Sequence, residues 1–174
     1  MIKSHYDMIH PFYFSKSVLD VACGDGTNQY KSTNWKIIDK AIHEDRYTGI
    51  DIMHPPSPDG ITYINIDLFD YEPEHQFDTV LAIHIIEHIE LDRWPELFDK
   101  LKSWVKPNGY LIVGAPYGGS HLKYENFKGP EPMRHVVFGI YEGLLLPYYP
   151  GRVKFERYRG PFGESFICYW RKPE

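Results

Sequence analysis

A short apolar run that ends in acid and then breaks into glycines constrains this chain more than any other stretch. In Val18-Leu19-Asp20-Val21-Ala22-Cys23-Gly24-Asp25-Gly26-Thr27, the run has the character of a first buried strand of an α/β sheet. Such a strand hands the chain to a helix beside a nucleotide-like ligand. Gly24 and Gly26 allow a tight turn and let a ligand approach where a Cβ would collide. Gly and Asp also make ordinary turns, so the rest of the chain decides.

The rest repeats the pattern. Tyr47–Ile52 reads as a second strand with Asp51 near its end, and Ile61–Ile66 as a third, followed by Asp67 and Asp70. Phe77–Ile83 is a fourth, β-branched and apolar enough to be buried on both faces, and Tyr110–Gly114 is a fifth. Between them, residues 28–42 are loosely helical but polar, which predicts a short or broken helix. Leu91–Val105 is the clearest helix: Trp94, Leu97, Phe98, Leu101 and Val105 form one apolar stripe. Asp92 or a neighbour is its expected cap, and Pro107-Asn108-Gly109 its expected stop. His54–Gly60, rich in Pro, is a loop. Val136–Tyr149 holds one more expected helix, and Lys154–Tyr158 and Ser165–Trp170 a closing strand pair around Gly160–Gly163. Strands alternating with helices predict a parallel sheet with helices on both faces.

With 174 residues, one domain over 1–174 is expected, with 1–17 as a short lead-in and 115–135 as a substrate or lid loop. The net charge of −5 gives no basic footprint, so no duplex nucleic acid is expected. Cys23 and Cys168 have no metal spacing and suggest a reducing compartment. No apolar run approaches the roughly 20 residues that cross a membrane, and no secretory leader is legible. A soluble cytoplasmic protein with a small-molecule partner is the expectation.

Acids at successive strand ends, Asp20, Asp51 and Asp67, suit a ligand rich in hydroxyl and amine donors, because a carboxylate only accepts. That describes a ribose diol and an exocyclic amine better than a chain of phosphates. The phosphate loop Gly-x-x-x-x-Gly-Lys-Ser/Thr is absent, and no third Gly follows Gly26 to complete the dinucleotide fingerprint. Plainer roles also exist: Asp51 as a turn cap, Asp67 as a helix N-cap, Asp25 as a turn residue and Cys23 as a small buried apolar group.

With their order and spacing, five stretches resemble the class I S-adenosylmethionine-dependent methyltransferases over residues 17–116. They are Val18–Thr27, Gly49–Asp51, Asn65–Asp67, Phe77–Ile83 and Leu101–Val113. The resemblance implies a Rossmann-like, doubly wound, mostly parallel seven-stranded α/β sheet with an antiparallel terminal strand pair. It implies S-adenosyl-L-methionine as cofactor. Asp20, Ala22, Cys23, Gly24 and Gly26 would line its methionine part. Asp51, with Ile52 beside it, would hold the ribose hydroxyls, and Asp67 and Leu68 would sit by the adenine. His84 and Ile85 would face the sulfonium and the acceptor. Compared with the family, the lead-in is short and the helix after Gly26 unusually polar.

The implied reaction is in-line methyl transfer, which needs alignment and, for some acceptors, removal of a proton. No Asn/Asp-Pro-Pro-Tyr-like sequence follows the fourth strand, which argues against a DNA amino-methyltransferase. Tyr117, Tyr124, Phe127, Phe138 and Tyr141 are candidates for an aromatic acceptor pocket or for ordinary core. O-methylation of a small hydroxylated acceptor is the expectation. The alternative is a catalytically inactive S-adenosylmethionine-binding module that serves a partner.

His84-Ile85-Ile86-Glu87-His88 admits three readings. As a helix, it would put His84 and His88 on one face, the His-x-x-Glu-His arrangement of a zinc peptidase. Glu87 would then be general base and Glu164 a third ligand. In a methyltransferase it is similar to the Glu-x-x-Glu-His of enzymes acting on vicinal hydroxyls, with His84 replacing the first Glu. Glu87, His88 and His135 would there hold a divalent metal that acidifies the acceptor hydroxyl. Without metal, Glu87 and His88 cap and pack, and His84 or His135 serves as general base.

Overall fold

A computed structural model gives the fold and describes residues 5–24, 27–53, 62–117, 140, 142–151, 153–160 and 163–174. The strands are β1 (Val18–Val21), β2 (Tyr47–Asp51), β3 (Thr62–Asn65), β4 (Phe77–Ile83), β5 (Val105–Pro116), β6 (Val153–Gly160) and β7 (Gly163–Arg171). The helices are α1 (Thr27–Tyr30), α2 (Trp35–His43), α3 (Trp94–Ser103) and α4 (Glu142–Leu145). The seven strands form one sheet in the order β3-β2-β1-β4-β5-β7-β6. The first five pair parallel, while β7 runs antiparallel to β5 and to β6. This is the expected doubly wound sheet with an antiparallel terminal pair.

Neighbouring residues on the central strands β1 and β4 feed opposite layers, which is why these strands are buried almost throughout. Leu19, Val21, Val80, Ala82, Leu111 and Val113 pack with the Trp94, Leu97, Phe98 and Leu101 stripe of α3. Val18, Leu81, Ile83, Ile112 and Ile167 pack on the other face with Ile38, Ala41 and Ile42 of α2 and with Tyr6, Ile9 and Phe14 of the lead-in. The lead-in is two 3₁₀ turns, His5–Met8 and Pro11–Phe14, clamped onto that second face.

The helix expected over 28–42 is broken, and the polar residues that weaken it are the reason. Ser32 and Thr33 donate to the Asp7 carboxylate of the lead-in, and Asn34 Nδ2 donates to the carbonyls of Tyr6 and Ile9 at 2.7 Å each. Their hydrogen bonds go to the lead-in rather than into a helix.

Two boundaries differ from expectation. Residues 91–93 form a 3₁₀ turn and α3 begins at Trp94; no side chain caps it, and Pro95 in the first turn sets the direction instead. Asp92 is therefore not the cap. Pro107-Asn108-Gly109 does not terminate a helix but lies within β5, whose pairing with β4 slips from Phe77–Val105 to Thr79–Tyr110. Asn108 takes a left-handed φ of 63°. A Cβ on Gly109 would stand 2.8 Å from the Asp78 carbonyl oxygen, so the irregularity admits only glycine.

The Pro-rich loop 54–60, most of the 115–135 loop and residues 136–139 fall outside the described residues. The described part of the last expected helix is α4 followed by a 3₁₀ turn, Leu146–Tyr148. No helix among the described residues is long and apolar enough to cross a membrane.

Candidate active site at the carboxyl ends of β1 and β4

β1 and β4 are neighbours in the sheet, and the chain leaves them toward opposite edges. Their carboxyl ends form the crevice where ligands of doubly wound sheets bind. Both ends carry a strained non-glycine residue: Ala22 at φ 57° just after β1 and His84 at φ 58° just after β4. Such left-handed residues cost on the order of 1–3 kcal/mol each and persist only where the surroundings fix them. At Ala22 the fixing is visible. The Cys23 N–H donates to the Ile50 carbonyl, and its thiol packs into the space left by Gly49, where a Cβ would lie 2.6 Å from Sγ. Burial pushes the Cys23 thiol far up, so it is a packing group, as its plainer role suggested.

Gly24 follows at φ 63°, and a Cβ built there would have no atom within 4 Å. Its N–H donates to Asp51 Oδ2 at 2.9 Å, while Asp51 Oδ1 accepts from the Met53 N–H at 2.9 Å. Asp51 thus caps its own turn and also ties the Gly-rich turn to β2. Ile52 and Met53 beside it are exposed. Asp67 caps a turn rather than the helix anticipated as its alternative: Oδ1 accepts from the Phe69 N–H at 2.9 Å, and its carbonyl from Asp70 and Tyr71. Leu68 is buried in the core.

Asp20 is completely buried. Its Oδ2 accepts from Tyr6 at 2.8 Å, from Gln29 Nε2 at 2.8 Å and from the Tyr47 hydroxyl. Burial pushes its carboxyl up to about 6; Tyr47, Gln29 and Tyr6 oppose this, and the nearby charge of Asp51 adds to it. None of these three donors stood among the residues singled out from sequence. The alternation of β1 put Asp20 on the lead-in face, and that was the available signal.

Across the crevice, His84 Nδ1 lies 2.8 Å from Glu87 Oε1. Glu87 is buried. Burial alone would raise its carboxyl, but the charge and hydrogen bond of His84 and the charge of His88 outweigh it and hold the group below its ordinary range. An ionised carboxylate only accepts, so Nδ1–H is the donor in this pair. The helical reading of His84–His88 is not realised. His84 is left-handed and only Ile86–His88 form a 3₁₀ turn, so the two imidazoles do not share an α-helical face and the zinc-peptidase arrangement does not form. Among the described residues, no three His, Cys, Asp or Glu side chains are grouped to hold a metal. Asp25, Gly26 and His135 lie outside the described residues, as do Tyr124, Phe127, Phe138 and Tyr141; Tyr117 stands just past β5.

A family model described as a methyltransferase domain matches residues 10–142. The chain belongs to the class I S-adenosylmethionine-dependent methyltransferases. It is 27% identical over 107 residues to (S)-coclaurine N-methyltransferase of Papaver somniferum, a match covering 56% of this chain and 29% of that protein. The chain therefore spans less than a third of that relative's length. The crystal structure of the N-methyltransferase NodS from Bradyrhizobium japonicum, in complex with S-adenosylhomocysteine, superposes with a TM-score of 0.67 at 14% identity. The match covers 94% of this chain and 84% of that one. The 1,6-didemethyltoxoflavin-N1-methyltransferase of Burkholderia thailandensis, also with bound S-adenosylhomocysteine, gives 0.69 at 17% identity, over 97% and 76%.

The residues present fit the family's cofactor. The Gly24 turn faces open space, Asp51 offers a half-exposed carboxylate, and Ile52 and Met53 offer apolar surface next to it.

Proposed function

We propose that this methyltransferase-family chain transfers a methyl group from S-adenosylmethionine to a small acceptor whose attacking atom must lose a proton, a hydroxyl in the first instance. The observation that carries the reading is the His84–Glu87 pair at the end of β4, directly beside the Gly-rich turn of β1. When bound, the cofactor supplies a methyl group on a sulfonium, with a good leaving group. Gly24 and its neighbours Ala22, Cys23 and Gly26 would take the amino-acid end, with Asp20 buried behind them. Asp51 would accept the ribose hydroxyls, Ile52 would lie along the sugar, and Asp67 and Leu68 would flank the adenine.

His84 would take the acceptor proton on Nε2. Glu87 holds Nδ1–H, fixes the tautomer and offsets the charge of the imidazolium as it forms, the division of labour of any carboxylate–imidazole pair. His135 is the second candidate base. With Glu87 and His88, it is also the set that a divalent ion would use.

A second reading is an amine acceptor. The N-methyltransferases among the similar proteins favour it, and a protonated amine also needs a base before it can attack. Calorimetric titration with S-adenosylmethionine and S-adenosylhomocysteine tests the cofactor. A panel of hydroxylated and amine acceptors, with and without Mg²⁺ or Mn²⁺, then tests the chemistry. Turnover on hydroxyls supports the first reading and turnover on amines alone the second. Cofactor binding with no turnover on any acceptor would leave a binding module, and no response to either cofactor form would overturn both.

A further inference from the structure

We propose that Gln29 is a positioning residue of the cofactor cradle, joining the lead-in, β1 and the Gly-rich turn at one buried node. The inference rests on the cofactor reading above and adds a residue that the family motifs do not include. Gln29 sits on the single turn of α1, where no apolar stripe holds the helix down, yet it is only 1% exposed. Its Nε2 lies 2.9 Å from the Tyr6 hydroxyl, 2.8 Å from Asp20 Oδ2 and 2.9 Å from the Cys23 carbonyl oxygen. These atoms belong to three segments of the chain: the lead-in, β1 and the Gly-rich turn. An amide nitrogen has two hydrogens. One serves the Cys23 carbonyl, and the other is shared between Asp20 and Tyr6, whose own hydroxyl donates to Asp20.

The node is also incomplete in a telling way. Asp20 Oδ1 and Gln29 Oε1 are both buried acceptors with no hydrogen-bond partner among the described residues. A buried acceptor left unmade is unfavourable, so the pair calls for a donor arriving from the turn. The ammonium of an amino-acid ligand, or a water bound beneath it, has the right chemistry. The lead-in is fastened to the same segment a second time, through Asp7 to Ser32 and Thr33. The lead-in therefore cannot swing away without unmaking the contacts that shape the turn, and Gln29 transmits one to the other.

The test uses the full chain and two readouts: calorimetric affinity for S-adenosylhomocysteine, and ligand-free trypsin cleavage after the exposed Lys16. Gln29→Leu removes the polar head, and Gln29→Glu keeps the shape while removing both donors. Tyr6→Phe removes only a hydroxyl and serves if the Gln29 variants fold poorly. Ile38→Ala destabilises the same layer without touching the node. The Gln29 variants should lose about tenfold or more in affinity and Tyr6→Phe about threefold, as expected for hydrogen bonds to a charged group and its neighbour. Cleavage after Lys16 should quicken in the same order. Ile38→Ala should melt earlier yet bind within about twofold of wild type.

Unchanged affinity in folded Gln29 variants would overturn the proposal. So would a loss that tracks melting temperature across all variants, Ile38→Ala included. If the wild type binds neither cofactor form, the cofactor reading falls first. Cleavage rates still judge the latch, and equal rates in wild type and Gln29→Leu would refute that too.

Discussion

Asp20 and Glu87 are both buried carboxyls at the crevice, each with one oxygen hydrogen-bonded and the other without a partner among the described residues. They nevertheless titrate in opposite directions. Around Asp20 the donors are neutral: two phenols and a carboxamide. They do not offset the loss of water, and burial leaves the group at about 6. Around Glu87 two imidazoles supply charge, which outweighs burial and holds the carboxyl low. The difference is that Glu87 has opposite charge nearby in addition to its hydrogen bonds, whereas Asp20 has hydrogen bonds alone and a like charge in Asp51. On the proposed reading, the β1 end of the crevice carries a buried carboxyl held by neutral donors, and the β4 end a charge-coupled pair suited to handling a proton.

The largest effect expected is on that second side. His84→Asn, chosen because Asn tolerates a left-handed φ, should slow methyl transfer by roughly 10²–10⁴-fold while S-adenosylhomocysteine affinity changes only a few-fold. Single-turnover rates and calorimetry check it, and equal loss of both would erase the division of roles.

Next comes the pH dependence of Asp20. Its folded carboxyl holds a proton more tightly than the unfolded one, which titrates near 3.9. Stability is therefore greatest below that value and falls as pH rises through about 6, by on the order of 3 kcal/mol. Asp20→Asn should flatten that slope in denaturant melts between about pH 4 and pH 7; a slope that persists would mean another group carries it.

Asp51→Ala should weaken cofactor binding by roughly 10- to 100-fold, the loss of hydrogen bonds to a charged acceptor, with a modest drop in melting temperature from the lost turn cap. Glu87→Gln sharpens the contrast from the other direction. The lowered carboxyl of Glu87 stabilises the fold above the ordinary Glu range, and the contribution is lost as pH falls through its depressed folded value. The variant should lose that acid-side decline, opposite in sign to Asp20→Asn. The smallest effect is Tyr47→Phe. It removes one of the three donors to Asp20, costs about 1 kcal/mol and moves the Asp20 titration still higher in the same melts.

Much of the architecture was legible because it depends on local periodicity. The Val80–Ile83 run of β4 is buried on both faces, and such a strand reads as a near-continuous hydrophobic stretch. The stripe of α3 likewise matched its packing. Boundaries failed where a tertiary contact outweighed propensity. Pro107-Asn108-Gly109 looks like a helix stop, but β4 captures it as an irregularity in β5, where the Asp78 carbonyl excludes any side chain at 109. Asp67 could be read two ways from sequence, and its hydrogen bond to Phe69 N–H shows that it at least caps the turn.

The sequence by itself determined the strand-turn pattern, the acids at the strand ends and hence the family, because each is written in residues a few positions apart. It also marked His84 and Glu87 as chemically able. Only the tertiary structure decided which contacts these groups make. Tyr6, Gln29 and Tyr47 lie 14, 9 and 27 residues from Asp20, and no local pattern announces that their donors converge on one oxygen. The left-handed turn at His84, which breaks the helical face expected with His88 and delivers its ring to Glu87, is likewise imposed by the end of β4 in the sheet. The Gly-rich turn that promised a ligand site proves to be held in shape by residues far from it in sequence.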